Sequence, residues 1–262
     1  MDVNDNFLSK NIKAWDKRTN IHICSDFYNM DKFRANKSSL NSIELEGIGS
    51  VANKSLLHLQ CHFGQDTLSL AREGAEVTGV DFSSQSIKYA KQLSNEIGIP
   101  ACFILEDVLK LDLKQEFDFI FTSYGVLGWL PDLKCWAEVV ARHLKKGGVF
   151  YIAEFHPFLH LIDERYKWDY FFKERPDIER KYGSYTDGGD DVLIEDCWWN
   201  HSFAEIFESL ETAGLKLLEF QEFDYSPYHL DGMVMRSQGE YVLGKRKSQS
   251  LPYVFTLKAT KK

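Results

Sequence analysis

Between Lys54 and Phe155, strand-like apolar runs alternate with helix-length segments, and this alternation restricts the chain to few folds. The runs are "SLLHLQ" (55–60), "AEVTGVDF" (75–82), "ACFILED" (101–107), "FDFIFTSY" (117–124) and "GVFYIAEF" (148–155). Helical patterns separate them at 66–73, 83–98 and 133–146, and Gly74, Gly98 and Gly147 stand where left-handed helix caps are expected. Strands joined by helices of this length imply βαβ crossovers and a parallel sheet covered on both faces. The expected fold class is α/β: a doubly wound, mostly parallel sheet.

The flanks read differently. Residues 1–50 are polar with scattered aromatics and predict an N-terminal cap of short helices. After His156-Pro157 the alternation breaks, and 158–200 reads as a β-rich insertion on the acceptor side, with strands at "YKWDYFF" (166–172) and "VLIEDCWW" (192–199). A helix at 202–214 and an antiparallel strand pair at 215–223 and 253–260 close the chain. With 54–156 as the cofactor-binding core, all 262 residues form one domain.

Charge and cysteine usage narrow the partners. Net charge is −8, with only the short basic run "GKRK" at 244–247, so the electrostatic drive for nucleic-acid binding is missing. No segment is apolar for the length of a membrane span, and the first ten residues do not resemble a signal peptide. Five scattered cysteines without a CxxC pair suggest reduced thiols in the cytoplasm.

In sheets of this kind ligands bind beyond the carboxyl ends of the strands. The first end is Leu59-Gln60-Cys61-His62-Phe63-Gly64, a nucleotide-binding turn in which Gln60 and His62 stand where glycines belong. A pyrophosphate needs those glycines so that the backbone can approach it. No Walker-type GxxxxGK[ST] is present either. The loop therefore disfavours NAD and ATP more than S-adenosylmethionine, which carries no phosphate. Asp81 ends the second strand about twenty residues on, where a carboxylate accepts both ribose hydroxyls; Phe82 and Ser83 follow it. Asp107 and Val108 end the third strand, placed to meet an adenine edge, and Ser123 and Tyr124 end the fourth.

Other positions compete for roles. His58, Cys61 and His62 lack a fourth ligand at suitable spacing, so no metal is expected. Glu154 and His156 share one face of the fifth strand, making His156 a candidate base or substrate clamp. His201 reads mainly as a helix-entry residue. Trp15, Phe27 and Tyr28 offer aromatic faces to a sulfonium. Tyr166, Trp168, Tyr170 and Phe172 would form one aromatic strand face, either core or the wall of an acceptor pocket.

Five stretches, "LLHLQCHFGQDTLSLA", "VTGVDFSSQSIKYAKQL", "FILEDVLKLDL", "FDFIFTSYGVLGWLPDL" and "LKKGGVFYIAEFHP", resemble in order and spacing the motifs of class I S-adenosylmethionine-dependent methyltransferases. The resemblance implies a seven-stranded sheet with an antiparallel last strand. It implies that the loop from Leu59 to Gly64, with Gln60, Cys61 and His62, wraps the methionine portion. Asp81 would hold the ribose, Phe82 would lie beside the adenine, and Asp107 and Val108 would meet its edge. Ser123 and Tyr124 would face the sulfonium and the acceptor, with Tyr124 a catalytic candidate alongside His156. Two departures stand out: His58 replaces the usual acid on strand one, and Gln60 and His62 replace two glycines. The expected activity is methyl transfer to a small molecule, with S-adenosylhomocysteine as the other product. A non-catalytic binding module and an NAD-dependent oxidoreductase are the competing readings.

Overall fold

A computed structural model describes residues 3–162 and 169–262. Three helices open the chain: α1 (Val3–His22), α2 (Met30–Arg34) and α3 (Ser42–Ile48). The core then alternates as β1 (Ser55–Leu59), α4 (Gln65–Arg72), β2 (Glu76–Asp81), α5 (Ser84–Ile97), β3 (Cys102–Leu105), β4 (Phe117–Ser123), α6 (Leu133–His143) and β5 (Leu144–Phe155). After α7 (Leu159–Ile162) comes the hairpin β6 (Asp177–Tyr182) and β7 (Leu193–Trp198). The chain ends with α8 (Phe203–Thr212), β8 (Leu215–Phe223), a second hairpin β9 (Met233–Ser237) and β10 (Glu240–Leu243), and β11 (Val254–Lys261).

The central sheet has seven strands in the order β3-β2-β1-β4-β5-β11-β8, with β11 antiparallel to both neighbours. Its strands are apolar on both sides because helices cover both faces. Leu57, Leu59, Ile120 and Ile152 pack on the α6 side, while Leu56, Phe119, Phe121 and Tyr151 pack on the other. Gly79 on β2 is a packing requirement: a Cβ there would lie 2.8 Å from both Cys61 Sγ and Phe103. Ser83 caps α5 by accepting from Ser86 N (3.1 Å), and Gly98 ends that helix in the left-handed conformation. Gly147 does not cap α6 as expected. That helix ends at His143, and Gly147 lies within β5 at φ 74°.

The cap differs most from expectation, because α1 is one helix of 20 residues. Its buried residues include Asn11, Arg18, Thr19 and His22, so no apolar stripe announces it. Its partners are polar as well. Asn11 pairs with both backbone groups of Cys197 on β7, at 2.8 and 2.9 Å, and Arg18 forms a buried ion pair with Asp196. At the other flank Asp16 accepts from Ser83 Oγ (2.7 Å) and Gln85 N (3.1 Å), fastening α1 to the start of α5.

In the insertion, the expected strand at 192–199 is present as β7. Of the other expected strand, Tyr166 and Trp168 lie outside the described residues, and Tyr170 and Phe172 are in no strand. The partner of β7 is the charged stretch "DIERKY", and the second hairpin within 224–252 also escapes a hydrophobicity reading.

Candidate functional site

Beyond β1 the backbone takes the left-handed conformation three times at alternate residues: Gln60 (φ 55°), His62 (φ 51°) and Gly64 (φ 83°). The two substituted positions keep the conformation that glycine adopts without strain, at a cost of roughly 1–2 kcal/mol each. Their side chains supply compensating contacts. Gln60 Nε2 donates to Val126 O (2.9 Å), tying the loop to the segment after β4. The His62 ring bonds Ser86 Oγ through Nδ1 (3.0 Å) and His22 Nδ1 through Nε2 (2.9 Å), and it packs edge-on to Trp15 with centroids 5.0 Å apart. Burial, with the Arg18 charge adding to it, holds this imidazole down to about 3, so it is neutral.

Asp81 braces the same loop. Its Oδ2 accepts from His62 N (2.9 Å) and its Oδ1 from Ser83 N (2.8 Å). The Phe82 amide acts on this carboxylate as well, and of its roughly four acceptor sites at least one stays open. Burial pushes this carboxyl up to about 6, partly opposed by those amide bonds.

A cavity of about 1250 Å³ opens in front of these residues, lined by Trp15, Gln60, Cys61, His62, Gly64, Asp81, Phe82, Ser123 and Tyr124 among others. Pockets for one drug-sized ligand run about 300–1,000 Å³, so this one has room for two small molecules. Leu59 and Ser83 do not line it: Leu59 is wholly buried in the core, and Ser83 serves as the helix cap. Asp107 and Val108 do not line it either. The Asp107 carboxylate accepts from Leu109 N (3.0 Å) at the start of a 3-10 turn, and Val108 packs into the core. The turn still abuts β2, through Glu106 N donating to Asp81 O (3.1 Å).

His156 stands apart, which corrects the expectation of a base or clamp. Its Nε2 pairs with Glu222 (2.8 Å), its Nδ1 accepts from Phe158 N (3.0 Å), and its ring packs on Phe203. Its strand-mate Glu154 is structural too. Glu154 accepts from the amides of Gly125, Val126 (2.7 Å) and Leu127 (3.1 Å), holding the loop after β4 in place. That loop follows Tyr124, itself at φ 35°, whose hydroxyl donates to buried Glu44 (3.0 Å). Ser123 Oγ donates to Asp66 (3.2 Å), another cavity residue.

Arg18, Asp66, Glu44 and Tyr228 escaped the sequence reading. The one available signal was the i, i+3 spacing of Trp15 and Arg18, which places them on one helix face. The Arg18 guanidinium lies 5.4 Å from the Trp15 ring centroid and 5.3 Å from that of Trp129. Three buried polar atoms on this wall have no partner: Trp15 Nε1, Arg18 Nη1 and Gln60 Oε1. Two donors and one acceptor around one space fit the carboxylate and ammonium of an amino acid. Among the described residues no group of three or more His, Cys, Asp or Glu is arranged to hold a metal, and no helix is long and apolar enough to cross a membrane.

Residues 56–148 match the family described as "Methyltransferase domain". The ubiquinone biosynthesis O-methyltransferase of Photorhabdus laumondii is 34% identical over 117 residues, 44% of this chain and 48% of that protein. The Proteus mirabilis protein of the same name is 31% identical over 153 residues, 51% of this chain and 62% of its own length. The chain thus spans about half to three-fifths of these relatives. Among solved structures, a S-adenosylmethionine-dependent methyltransferase of Methanosarcina mazei superposes with TM-score 0.59 at 21% identity, covering 85% of this chain and 98% of that one. One from Clostridium acetobutylicum gives TM-score 0.58 at 15% identity, covering 91% and 93%. Residues 56–148 thus match a methyltransferase domain, and the seven-stranded sheet gives the chain the Rossmann-like fold of the solved S-adenosylmethionine-dependent methyltransferases.

Proposed function

We propose that the protein transfers a methyl group from S-adenosylmethionine to a small-molecule acceptor, both held in the large cavity. The observation that carries this reading is the set of partnerless atoms Trp15 Nε1, Arg18 Nη1 and Gln60 Oε1, facing the same cavity as Asp81. The remaining acceptor capacity of Asp81 takes the ribose hydroxyls. Arg18 and Trp15 donate to the cofactor's carboxylate, and Gln60 Oε1 accepts from its ammonium. The His62 and Gln60 side chains occupy a loop that a dinucleotide needs bare, and an adenosyl sulfonium has no phosphate to seat there. Phe82 packs beside the adenine. Bound S-adenosylmethionine supplies an electrophilic methyl on sulfur. The protein's part is to align acceptor and donor and exclude water, with Tyr124 on the acceptor side.

The names of the curated relatives, O-methyltransferases of ubiquinone biosynthesis, support a small acceptor. The insertion and the 227–231 segment wall the acceptor side of the single domain. All five cysteines are free thiols, in keeping with the cytoplasm.

Calorimetric titration with S-adenosylmethionine and S-adenosylhomocysteine tests the reading. Binding of both is expected, and Asp81→Ala should weaken each by about a hundredfold, as for two lost charge-assisted hydrogen bonds. Absence of binding of either at millimolar ligand would sink it.

A further inference from the structure

One region of the cavity sets a buried carboxylate among aromatic rings. Asp66 lines it, accepting from Ser39 Oγ at Oδ1 (2.6 Å) and from Ser123 Oγ at Oδ2 (3.2 Å). Behind Tyr124, Glu44 is fully buried and accepts from the Tyr124 hydroxyl (3.0 Å) and Asn41 Nδ2 (3.3 Å). The hydroxyls of Ser39, Ser123 and Tyr124 are thus already committed. Burial raises both carboxyls, Glu44 to about 7 with Asp66 adding to it.

His58 supplies an independent observation. It lines the same cavity, is 2% exposed, and its Nε2 has no partner. Its Nδ1 lies 2.8 Å from Thr67 Oγ1. In the tautomer that donates from Nδ1 to Thr67, Nε2 is a bare acceptor. The surrounding walls are rings: Tyr124 and Tyr228 meet edge to face at 5.0 Å, and Phe27 stacks on Tyr228 at 5.7 Å.

A site of this kind needs a ligand that brings its own N–H donors and positive charge. An ammonium brings three donors and is attracted to aromatic faces; an alcohol brings one, and a carboxylate brings none. We propose that the methyl acceptor is a small primary or secondary amine on an apolar, aryl-sized body. It is held as its ammonium by Asp66 and His58 Nε2 inside the rings of Phe27, Tyr124 and Tyr228. This rests on the methyl-transfer reading above. An ammonium is not a nucleophile, so one proton must first pass to the Asp66 carboxylate. The freed nitrogen lone pair then forms the N–C bond as the C–S pair returns to sulfur, the positive charge moves to nitrogen, and Asp66 yields its proton to solvent.

The test is calorimetry on the full chain with 2-phenylethylamine, 2-phenylethanol and phenylacetate, each with and without saturating S-adenosylhomocysteine. The amine is expected to bind about tenfold more tightly than the alcohol, the gain of a charge-assisted over a neutral hydrogen bond, and the carboxylate not at all. Asp66→Asn should erase that preference while S-adenosylhomocysteine affinity holds within about twofold, the scatter of a contact outside that subsite. Should that variant fail to fold, Glu44→Gln should reduce the preference in the same direction. Alcohol matching the amine, no amine binding at millimolar concentration, or a preference that survives both substitutions would overturn the proposal. An amine preference without any S-adenosylhomocysteine binding removes the methyl-transfer reading and leaves the amine site standing.

Discussion

At Gln60 and His62 the chain carries long side chains in a backbone conformation that suits glycine. The loop geometry and the side-chain identity are therefore separate choices: the turn is kept, and the side chains are used as struts to Val126, Ser86 and His22. This division gives a sharp expectation. His62→Ala loses the ring contacts and keeps the strained φ, whereas His62→Gly loses the same contacts and relieves it. Urea unfolding should find both variants less stable than the parent, with the glycine variant ahead of the alanine one by about 1 kcal/mol. The sequence showed which residues replaced the glycines. It did not show that the left-handed turn survives, because φ at a non-glycine position is set by what the side chain reaches, and the partners come from α1, α5 and the loop after β4.

Among the elements, those whose pattern is apolar were legible and those held by polar contacts were not. Four of the five core strands lie within their expected stretches, β5 starts four residues early at Leu144, and α4 and α5 are within a residue or two of expectation, since burial on a sheet writes itself into spacing. Helix α1 has a buried face made largely of Asn11, Arg18, Thr19 and His22, and β6 alternates charged residues, so neither pattern registers. Asn11 carries much of the docking of α1, because it alone pairs both backbone groups of Cys197. Asn11→Ala would leave a buried N–H and C=O unsatisfied, costing about 2–4 kcal/mol. Since Trp15 and Arg18 ride on the same helix, S-adenosylhomocysteine affinity should fall along with the thermal midpoint. A variant that loses stability but keeps full affinity would separate α1 from the cofactor site.

Across the whole molecule, the sheet order brings the carboxyl ends of β1, β2 and β4 together, and α1, the first hairpin and the 227–231 segment close over them. The join between core and insertion is tight at Gly128. A Cβ there would fall 2.1 Å from the Trp198 ring, and Trp199 N donates to Gly128 O (2.8 Å). Gly128→Ala should therefore push the β6–β7 hairpin outward, costing about 1–3 kcal/mol as overpacking does. Tryptophan fluorescence should shift to the red and cofactor affinity should drop, because Asp196 on that hairpin pairs with Arg18. The sequence by itself determined the α/β core, the strand ends and Asp81 as the ribose candidate, because apolar periodicity and strand-to-turn spacing are local properties of the chain. Only the tertiary structure decided that Asp107 caps a turn, that Glu154 and His156 serve the scaffold, and that Arg18, Asp66 and His58 converge on one cavity, with Glu44 behind it. Those assignments depend on which polar groups meet across long stretches of chain, and burial alone selects their partners.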